Sequence, residues 1–254
     1  MNRRSFTSLL AATTASAAFS TKPIRSQEIR STIKAIALDG VAVFDLRPIA
    51  ALTERMFPGR GEELTTLWRT RQFEYTWLRT VGNKYVDFWQ VTGDALVFSC
   101  RSLNLELTSE NRDNLMQSYL TIKAWPDALP ALKELKGRGM RIAFLSNFTA
   151  AMLDRAVKNS GLEGIFEDRL STDRVRAFKP DPRAYEMALK AFQLKREEIA
   201  FGAFAGWDAA GAKWFGYPTF WVNRAHAPTE ELGVLPDGTG SKLYDLSTFL
   251  QHEG

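Results

Sequence analysis

The sequence predicts an α/β protein with a Rossmann-like parallel-sheet core and an inserted helical-bundle cap domain. Residues 33–38 form a short apolar run that ends at a charge, which is typical of a buried parallel strand. Residues 46–124 carry apolar side chains at helical spacing, and strand-like and helix-like stretches alternate after Pro126. A chain of 254 residues is long enough for a large core and a smaller second domain.

The composition excludes several classes of function. Charged residues make up 24% of the chain and the formal net charge is +4, without a basic block on one predicted face, so nucleic-acid binding is not expected. A single cysteine, Cys100, rules out an internal disulfide framework and a thiolate metal cluster, and we interpret it as a buried small residue on a cap helix. No apolar run approaches the roughly 20 residues of a membrane-spanning helix.

Residues 1–20 are set apart as a targeting segment. Arg3 and Arg4 precede Ser5 and Phe6, a weakly apolar run and several small residues. This arrangement resembles a bacterial twin-arginine export signal, so a periplasmic location is expected. The alternative is a disordered tail after a misassigned start codon, with the protein remaining cytoplasmic.

The first predicted strand delivers Asp39 to its carboxyl end. Ligands of open α/β sheets bind outside the carboxyl ends of the strands, so Asp39 is the first candidate for chemistry. The alternative is that Asp39 only ends the strand or caps a turn. We assign residues 21–45 and 125–254 to the core domain.

The inserted segment, residues 46–124, is predicted to be the helical cap. Pro48 suits the first turn of a short helix that runs to Phe57. Further stripes at near-helical spacing are Leu64, Leu67, Trp68, Tyr75 and Leu78, then Tyr85, Phe88, Trp89 and Leu96, then Leu115, Met116, Tyr119 and Leu120. We interpret these aromatic side chains as the core of a bundle rather than a platform for stacking bases.

The remaining elements alternate. Helices are expected around Leu129 to Leu135, at 152–160, from Pro182 with Asp181 as N-cap, and at 207–215; strands are expected at 142–145, near Leu170, at 199–204 and at 219–222. The expected strand ends and the segment before the Pro182 helix supply Asp39, Ser146 with Asn147, Lys179 and Asp208. Each of these residues is a weak signal alone, but a carboxylate, a hydroxyl, an ammonium and a second carboxylate together form a candidate catalytic site.

The motifs around these residues resemble the L-2-haloacid dehalogenases, also called type II, of the haloacid dehalogenase-like superfamily. The similarity runs from about Ile33 to Arg224. Four stretches carry it: FPGRGEELTTLWRTRQFEYTWLR at 57–79, LSN at 145–147, KPDPRAYE at 179–186 and WDAAGAKWFGYPTFWVNR at 207–224. The resemblance implies hydrolysis of short-chain L-2-haloalkanoic acids to 2-hydroxy acids through an aspartyl ester, without a cofactor. The oligomeric state stays open: proteins of this family often form dimers through cap helices, and the aromatic faces around Trp77 and Trp89 are candidates for such a contact.

The resemblance also implies a catalytic role for five residues. Asp39 would be the nucleophile, and Arg69 would bind the departing halide. Ser146 and Lys179 would hold the substrate carboxylate and keep Asp39 ionised, and Asp208 would orient the water that hydrolyses the ester. A carboxylate becomes a better nucleophile when it is desolvated beside a positioned cation, which fits these roles.

Five further residues are implied in substrate binding. Asn147 and Trp207 would line the halide end of the pocket, and Tyr185 would support the network around Lys179. Phe73 and Phe88 would shape the pocket around the alkyl group of the substrate.

The sequence argues against a metal-dependent phosphatase. Phosphatases of this fold use a second Asp two residues after the nucleophile, where this chain has Val41. They also hold Mg²⁺ with an acidic residue after the fourth strand, where residues 202–205 read GAFA. No metal site is therefore expected.

Three polar positions of the dehalogenase pattern are absent. The family follows its nucleophile with a Tyr-Gly-Thr-Leu run, whereas residues 40–44 read GVAVF, one residue shorter and without a hydroxyl group. Ala203 and Ala205 stand where the family has Ser and Asn. Missing partners can cost about a hundredfold each. Two interpretations stay open: a dehalogenase whose pocket is enlarged and dried by the two alanines, or a catalytically impaired relative that binds a small carboxylate or a protein.

Overall fold

The computed structural model describes residues 33–251. The expected export signal at residues 1–20 lies outside the described residues. Within 33–251 the strands are β1 (Ala35–Leu38), β2 (Phe44–Asp45), β3 (Lys123–Ala124), β4 (Arg141–Ser146), β5 (Arg169–Ser171), β6 (Ile199–Ala203), β7 (Thr219–Val222) and β8 (Gly238–Gly240). The α-helices of this part are α1 (Gly40–Val43), α2 (Arg47–Met56), α3 (Gly61–Val81), α4 (Phe88–Ser102), α5 (Ser109–Ser118), α6 (Ala128–Gly137), α7 (Ala150–Asn159), α8 (Pro182–Phe192), α9 (Gly206–Phe215) and α10 (Leu243–Phe249).

A six-stranded parallel sheet, in the order β5-β4-β1-β6-β7-β8, forms the core of the described chain. The predicted α/β fold class is confirmed. β1 lies at the centre, where Ala35 pairs with Arg141 of β4 and with Ile199 of β6. Its side chains alternate between two buried apolar clusters, with Ile36 and Leu38 on one face and Ala35 on the other. This burial on both faces explains why the strand is apolar at every position.

The helices α2 to α5 form the insertion that follows β1, and its ends are joined by an antiparallel ribbon of β2 and β3. The expected apolar stripe on α3 is wrong in part, because the side chain of Leu78 is 65% exposed. The buried face instead follows i, i+4 spacing through Leu64, Trp68, Gln72 and Thr76. The two polar members are accommodated because Gln72 donates to Thr92 Oγ1 at 2.6 Å and Thr76 donates to the Phe73 carbonyl.

Four elements of the described chain have no counterpart among the expected ones: α1, the β2–β3 ribbon, β8 and α10. Each is short, and α1, the ribbon and β8 lack a strong apolar period of their own. In α10, Leu243, Leu246 and Phe249 lie at helical spacing, a signal that sequence reasoning missed. Cys100 is buried on α4, as expected. No helix within residues 33–251 combines the length and the apolar character needed to cross a membrane.

Candidate active site

The catalytic candidates meet at the carboxyl edge of the central strands. Asp39 directly follows β1, Ser146 ends the neighbouring β4, and Asp208 lies in the first turn of α9 after β6. Lys179 comes from the segment before α8. The chain runs from β1 to β4 and β5 on one side of the sheet and then crosses to β6 on the other side of β1, so this edge is the topological switch point at which ligands of such sheets bind.

A buried ammonium joins two carboxylates at the centre of the site. Lys179 Nζ donates to Asp39 Oδ2 at 2.6 Å and to Asp208 Oδ2 at 2.7 Å. Lys179 and Asp208 have no exposed surface, and Asp39 is almost as buried. Isolated charges would be strongly destabilised there, so each group depends on its partners. Neither at this site nor elsewhere in residues 33–251 do three or more His, Cys, Asp or Glu side chains form a cluster suited to a metal ion.

Burial and ion pairing have opposite effects on the pKa values of the charged groups in this cluster. Burial lowers the pKa of Lys179, but the carboxylates of Asp208 and Asp39 outweigh it, so the net pKa is raised and the ammonium stays charged. Burial raises the pKa of Asp208 to about 6, with Lys179 opposing the shift and Asp39 adding to it. The phenol of Tyr185 donates to Asp208 Oδ1 at 2.8 Å. Burial also raises the pKa of Tyr185, so it remains a donor.

Asp39 is positioned by a backbone donor. Its Oδ1 accepts a 2.7 Å hydrogen bond from the Val41 N–H, which makes Asp39 the N-cap of α1. Ser146 Oγ lies 3.5 Å from Asp39 Oδ2 and accepts from the N–H groups of Gly40 and Phe148. Asp39 can therefore cap α1 and also present its carboxylate to the site. The Val41 N–H gives this carboxylate a hydrogen bond, in the segment where the family's hydroxyl residue is missing.

Above Asp39 lies a cavity of about 10 Å³, roughly the space for one water molecule. It lies between the core and α3 of the insertion. Seven predicted site residues line it: Asp39, Arg69, Phe73, Phe88, Ser146, Asn147 and Trp207. We call this space the active-site cavity.

Three predicted site residues do not reach the active-site cavity. Lys179 was expected to hold the substrate carboxylate, but its ammonium is enclosed by the two aspartates. Tyr185, grouped with the substrate-binding residues as a support of the network around Lys179, is fully buried behind Asp208 and donates to it. Asp208 itself shares this inner layer. The structure thus divides the predicted set into residues that face the cavity and residues that support Asp39 from behind.

Arg69 is the cation that faces the cavity. It lies on α3, and no residue within 33–251 forms a hydrogen bond or an ion pair with its guanidinium. Asn147 also faces the cavity, and its Oδ1 accepts from the Lys179 backbone N–H at 3.0 Å. The Asn147 amide nitrogen has no acceptor in the same part of the chain. Both donors are therefore available to an anion.

Aromatic rings form the wall of the active-site cavity. Phe73 of the insertion lies 5.3 Å from Trp207 and 5.9 Å from Phe204, measured between ring centroids. The expected enlargement of the pocket by Ala203 and Ala205 is wrong, because neither alanine lines the cavity and Phe204 between them does. The segment after β6 thus places the Phe204 ring in the cavity wall and does not enlarge the cavity.

Sequence reasoning missed five cavity residues: Val41, Leu46, Gln72, Phe148 and Phe204. Gln72 lies three residues after Arg69, on the buried face of α3, so helical periodicity applied to polar residues could have found it. Phe204 directly follows β6, the position at which other site residues were sought. Val41 acts partly through its backbone, which leaves no signal in the sequence.

Comparisons with known proteins agree on one family. The model of haloacid dehalogenase-like hydrolases matches residues 25–216. The chain is 44% identical over 206 residues to an (S)-2-haloacid dehalogenase of Pseudomonas sp. strain YL, covering 81% of this chain and 89% of that protein. A crystal structure of an L-2-haloacid dehalogenase superposes with a TM-score of 0.85 at 41% identity, covering 87% and 99% of the two chains. The L-2-haloacid dehalogenase of Xanthobacter autotrophicus with chloropropionic acid covalently bound superposes with a TM-score of 0.80 at 32% identity, covering 87% and 100%.

Proposed function

Because this chain belongs to the L-2-haloacid dehalogenase family of haloacid dehalogenase-like hydrolases, we propose that it hydrolyses short-chain L-2-haloalkanoic acids to 2-hydroxy acids. One observation carries the proposal. The buried Asp39 carboxylate is held by the Lys179 ammonium and the Val41 N–H, and it faces a cavity that also holds the unpaired guanidinium of Arg69.

The first step is displacement of the halide by Asp39. A carboxylate oxygen forms a bond to C2 of the substrate while the carbon–halogen bond breaks and its electron pair leaves with the halide. Configuration at C2 is inverted and an aspartyl ester remains. Lys179 keeps Asp39 ionised, and the absence of bulk water around this carboxylate strengthens it as a nucleophile.

The departing halide is stabilised by donors that face the cavity. Arg69 supplies a full positive charge without a competing carboxylate, and the Asn147 amide adds an N–H donor. Neither group transfers a proton, which suits a leaving group that departs as an anion. Phe73 and Phe88 pack against the alkyl group of the substrate.

The second step is hydrolysis of the ester. Water attacks the Asp39 carbonyl carbon and gives one proton to Asp208. The bond between that carbon and the ester oxygen then breaks, the alkoxide takes the proton from Asp208 and leaves as the 2-hydroxy acid, and the second proton of the water is released as Asp39 returns to its carboxylate. We assign the proton to Asp208 because it is the second carboxylate on Lys179. The Asp39 charge contributes to the raised pKa of Asp208, so ester formation removes that contribution and favours ionised Asp208. Asp208 is fully buried, so water must enter the inner layer of the site to reach it.

Entry of the substrate requires movement. The active-site cavity holds about one water molecule, whereas a 2-haloacid is several times larger. The insertion contributes Arg69 and Phe73 to the wall, so a displacement of α3 opens the cavity. Such closure over the substrate also excludes water during displacement.

A second candidate function is binding of a small carboxylate without turnover. It is favoured by the lack of side-chain donors at Ala203 and Ala205, since β6 then gives the site no hydroxyl or amide to orient water. The enclosed cluster of Asp39, Lys179 and Asp208 argues for the enzyme, because a binding protein has little physical reason to bury three charges.

The test is halide release from each enantiomer of 2-chloropropionate and 2-bromopropionate, with Asp39→Asn as the control. We expect release from the L enantiomer alone and none from the variant. No release above the control at high protein concentration would reject turnover of these acids and leave the binding function.

We also propose export to the periplasm, on the basis of Arg3 and Arg4. Fractionation of cells that express the full chain should find the protein in the periplasm, and the double substitution R3K/R4K should retain it in the cytoplasm.

For assembly we propose a homodimer through the insertion. Trp77 packs against Trp207 of its own chain at 5.5 Å, so the face around Trp89 is the remaining candidate. Light scattering after size exclusion gives the mass directly, and a monomer at micromolar concentration would contradict the proposal.

A further inference from the structure

A second pocket adjoins the active-site cavity. It has a volume of about 230 Å³, far larger than the cavity above Asp39. Four residues line both spaces: Val41, Leu46, Arg69 and Phe204. They therefore form the partition between the active-site cavity and this neighbouring space, which we call the outer pocket.

Phe204 is the aromatic member of the partition, and its position is fixed from both sides. Its ring lies 5.9 Å from Phe73 of the insertion and 6.1 Å from Trp207 of the core. Its backbone carbonyl accepts a 3.2 Å hydrogen bond from the indole N–H of Trp221 on β7. These contacts hold the ring across the boundary rather than leaving it free to swing away.

The outer pocket suits an alkyl chain better than a second anionic group. Its walls include Phe44, Val222 and Trp125. Two of its guanidinium groups are already neutralised, since Arg47 pairs with Asp45 at 2.7 Å and Arg224 pairs with Asp127 at 3.0 Å.

The same two arginines are also held in place by stacking. The guanidinium carbons of Arg47 and Arg224 lie 4.2 and 4.6 Å from the ring of Trp125. Arg69 is left as the unpaired cation at the boundary of the two spaces, where the halogen of a 2-haloacid would stay.

We propose that Phe204 sets the chain length of the substrate by closing the active-site cavity off from the outer pocket. The proposal rests on the dehalogenase function proposed above and specifies its substrate class: 2-haloacids with a short alkyl group. Without the ring, the alkyl chain of a longer 2-haloacid passes Val41 and Leu46 into the outer pocket while its reacting carbon stays beside Asp39.

The experiment compares Phe204→Ala with the wild type on L-2-bromopropionate and L-2-bromohexanoate. We expect the ratio of kcat/KM for the hexanoate to that for the propionate to rise about tenfold or more, since each methylene accommodated in an apolar pocket is worth roughly that factor. Phe204→Leu, which keeps most of the bulk, should leave the ratio near that of the wild type. Phe98→Ala is the matched control, because this half-buried ring packs on Tyr75 and lines neither space.

A binding measurement separates this proposal from the function on which it rests. Titration calorimetry with propionate and hexanoate, which carry no halogen, should give the same shift in preference in Phe204→Ala. If the wild type releases no halide, the dehalogenase function fails and calorimetry still decides the role of Phe204. A folded Phe204→Ala variant whose preferences stay within twofold of the wild type in both assays overturns the proposal, as does a wild type that uses both acids equally.

Discussion

At the scale of single residues, Lys179 is the group that makes the site possible. Its ammonium is the shared partner of Asp39 and Asp208, and all three side chains are buried. The cluster contains one positive and two negative charges, so its net charge is negative. Removal of the cation would leave two like charges facing each other in a medium that solvates neither.

Lys179→Met is therefore expected to lose both stability and activity. We expect a loss of about 3–5 kcal/mol in the free energy of unfolding, the usual cost of breaking a buried pair. Halide release should fall about a hundredfold or more, because Asp39 loses its cation. Urea denaturation and a halide assay measure the two effects.

The matched control for this substitution is Lys190→Met. Lys190 pairs with Glu186 on α8, and its side chain is 73% exposed. We expect a change within about 1 kcal/mol and normal activity. Equal effects of the two substitutions would show that the burial of Lys179 has no energetic importance.

The raised pKa of Asp208 predicts opposite pH trends for activity and stability. Asp208 accepts a proton from water only when ionised, so steady-state halide release should rise with pH in a step at or below about 6, since the ester lacks the Asp39 charge that helps to raise this pKa. The folded state holds this proton more tightly than the unfolded chain, so the contribution of Asp208 to stability is present at low pH and is lost as the pH rises through about 6.

The variant Asp208→Asn tests both trends. The pH–rate profile should lose this step, and the stability of the wild type relative to the variant should fall between pH 4 and 7. Asp168→Asn is the control, because Asp168 pairs with Arg174 on the surface and its pKa is lowered. A wild-type rate that is flat from pH 4 to 8 would contradict the assignment.

The residues that could be predicted from the sequence are those whose side chains carry the chemistry. Asp39, Ser146 and Asp208 stand out because the expected strand ends deliver them to one edge of the sheet. The Val41 N–H has no side-chain signature, and Phe204 gains its role from contacts with Phe73 and Trp207 that only the tertiary fold creates.

At the scale of elements, the central strands pack so closely that one position has no room for a Cβ atom unless a neighbouring side chain moves. A Cβ atom on Gly202 of β6 would lie 2.4 Å from Cδ2 of Leu38 on β1. Leu38 is the last residue before Asp39, so crowding there acts directly on the nucleophile.

Gly202→Ala is expected to destabilise the protein by about 1–3 kcal/mol through overpacking, and to lower kcat because Leu38 must move. Gly137→Ala is the control, since a Cβ atom at Gly137 would meet nothing within 4 Å. Urea denaturation should separate the two variants, and a neutral Gly202→Ala would mean that Leu38 can repack freely.

The elements that could be predicted are those with a strong period or a long apolar run. β7 was expected at Thr219–Val222 and lies there. Its four residues are all buried, which is typical of a strand inside a parallel sheet. β8 reads Gly-Thr-Gly and carries no apolar signal, so only its pairing with β7 makes it a strand. α1 has four residues and depends on the Asp39 cap.

At the scale of the whole molecule, a small number of polar contacts hold the insertion to the core. Tyr85, between α3 and α4, donates to Asp173 Oδ1, and its ring lies 4.7 Å from Phe178. Thr80 Oγ1 accepts from the Phe178 N–H at 3.1 Å. These polar contacts must break, together with the aromatic contacts of Phe73 and Trp77 with Trp207, when the insertion moves to admit a substrate.

Tyr85→Phe should make this opening easier. The ring stays while the hydrogen bond to a carboxylate is lost, at a cost of about 1–2 kcal/mol, or roughly a 5- to 30-fold rise in the open population. Hydrogen exchange of amides near residue 85 should accelerate accordingly, with β4 unchanged. Tyr75→Phe is the control, because the Tyr75 hydroxyl has no partner within residues 33–251, and equal acceleration in both variants would rule out the contact with Asp173 as a latch.

The central place of β1 has a consequence for how the protein folds. Ala35 pairs with Arg141 on one side and with Ile199 on the other, so both neighbours of this strand come from the later part of the chain. During synthesis the strand that carries Asp39 has no partner until β4 has been made, and its second partner, β6, comes later still, so long intervening loops must be closed. The site that unites Asp39, Lys179 and Asp208 therefore requires β1, β4 and β6 to be paired, so the nucleophile made near the start of the chain gains its catalytic partners only after most of the sheet has been synthesised.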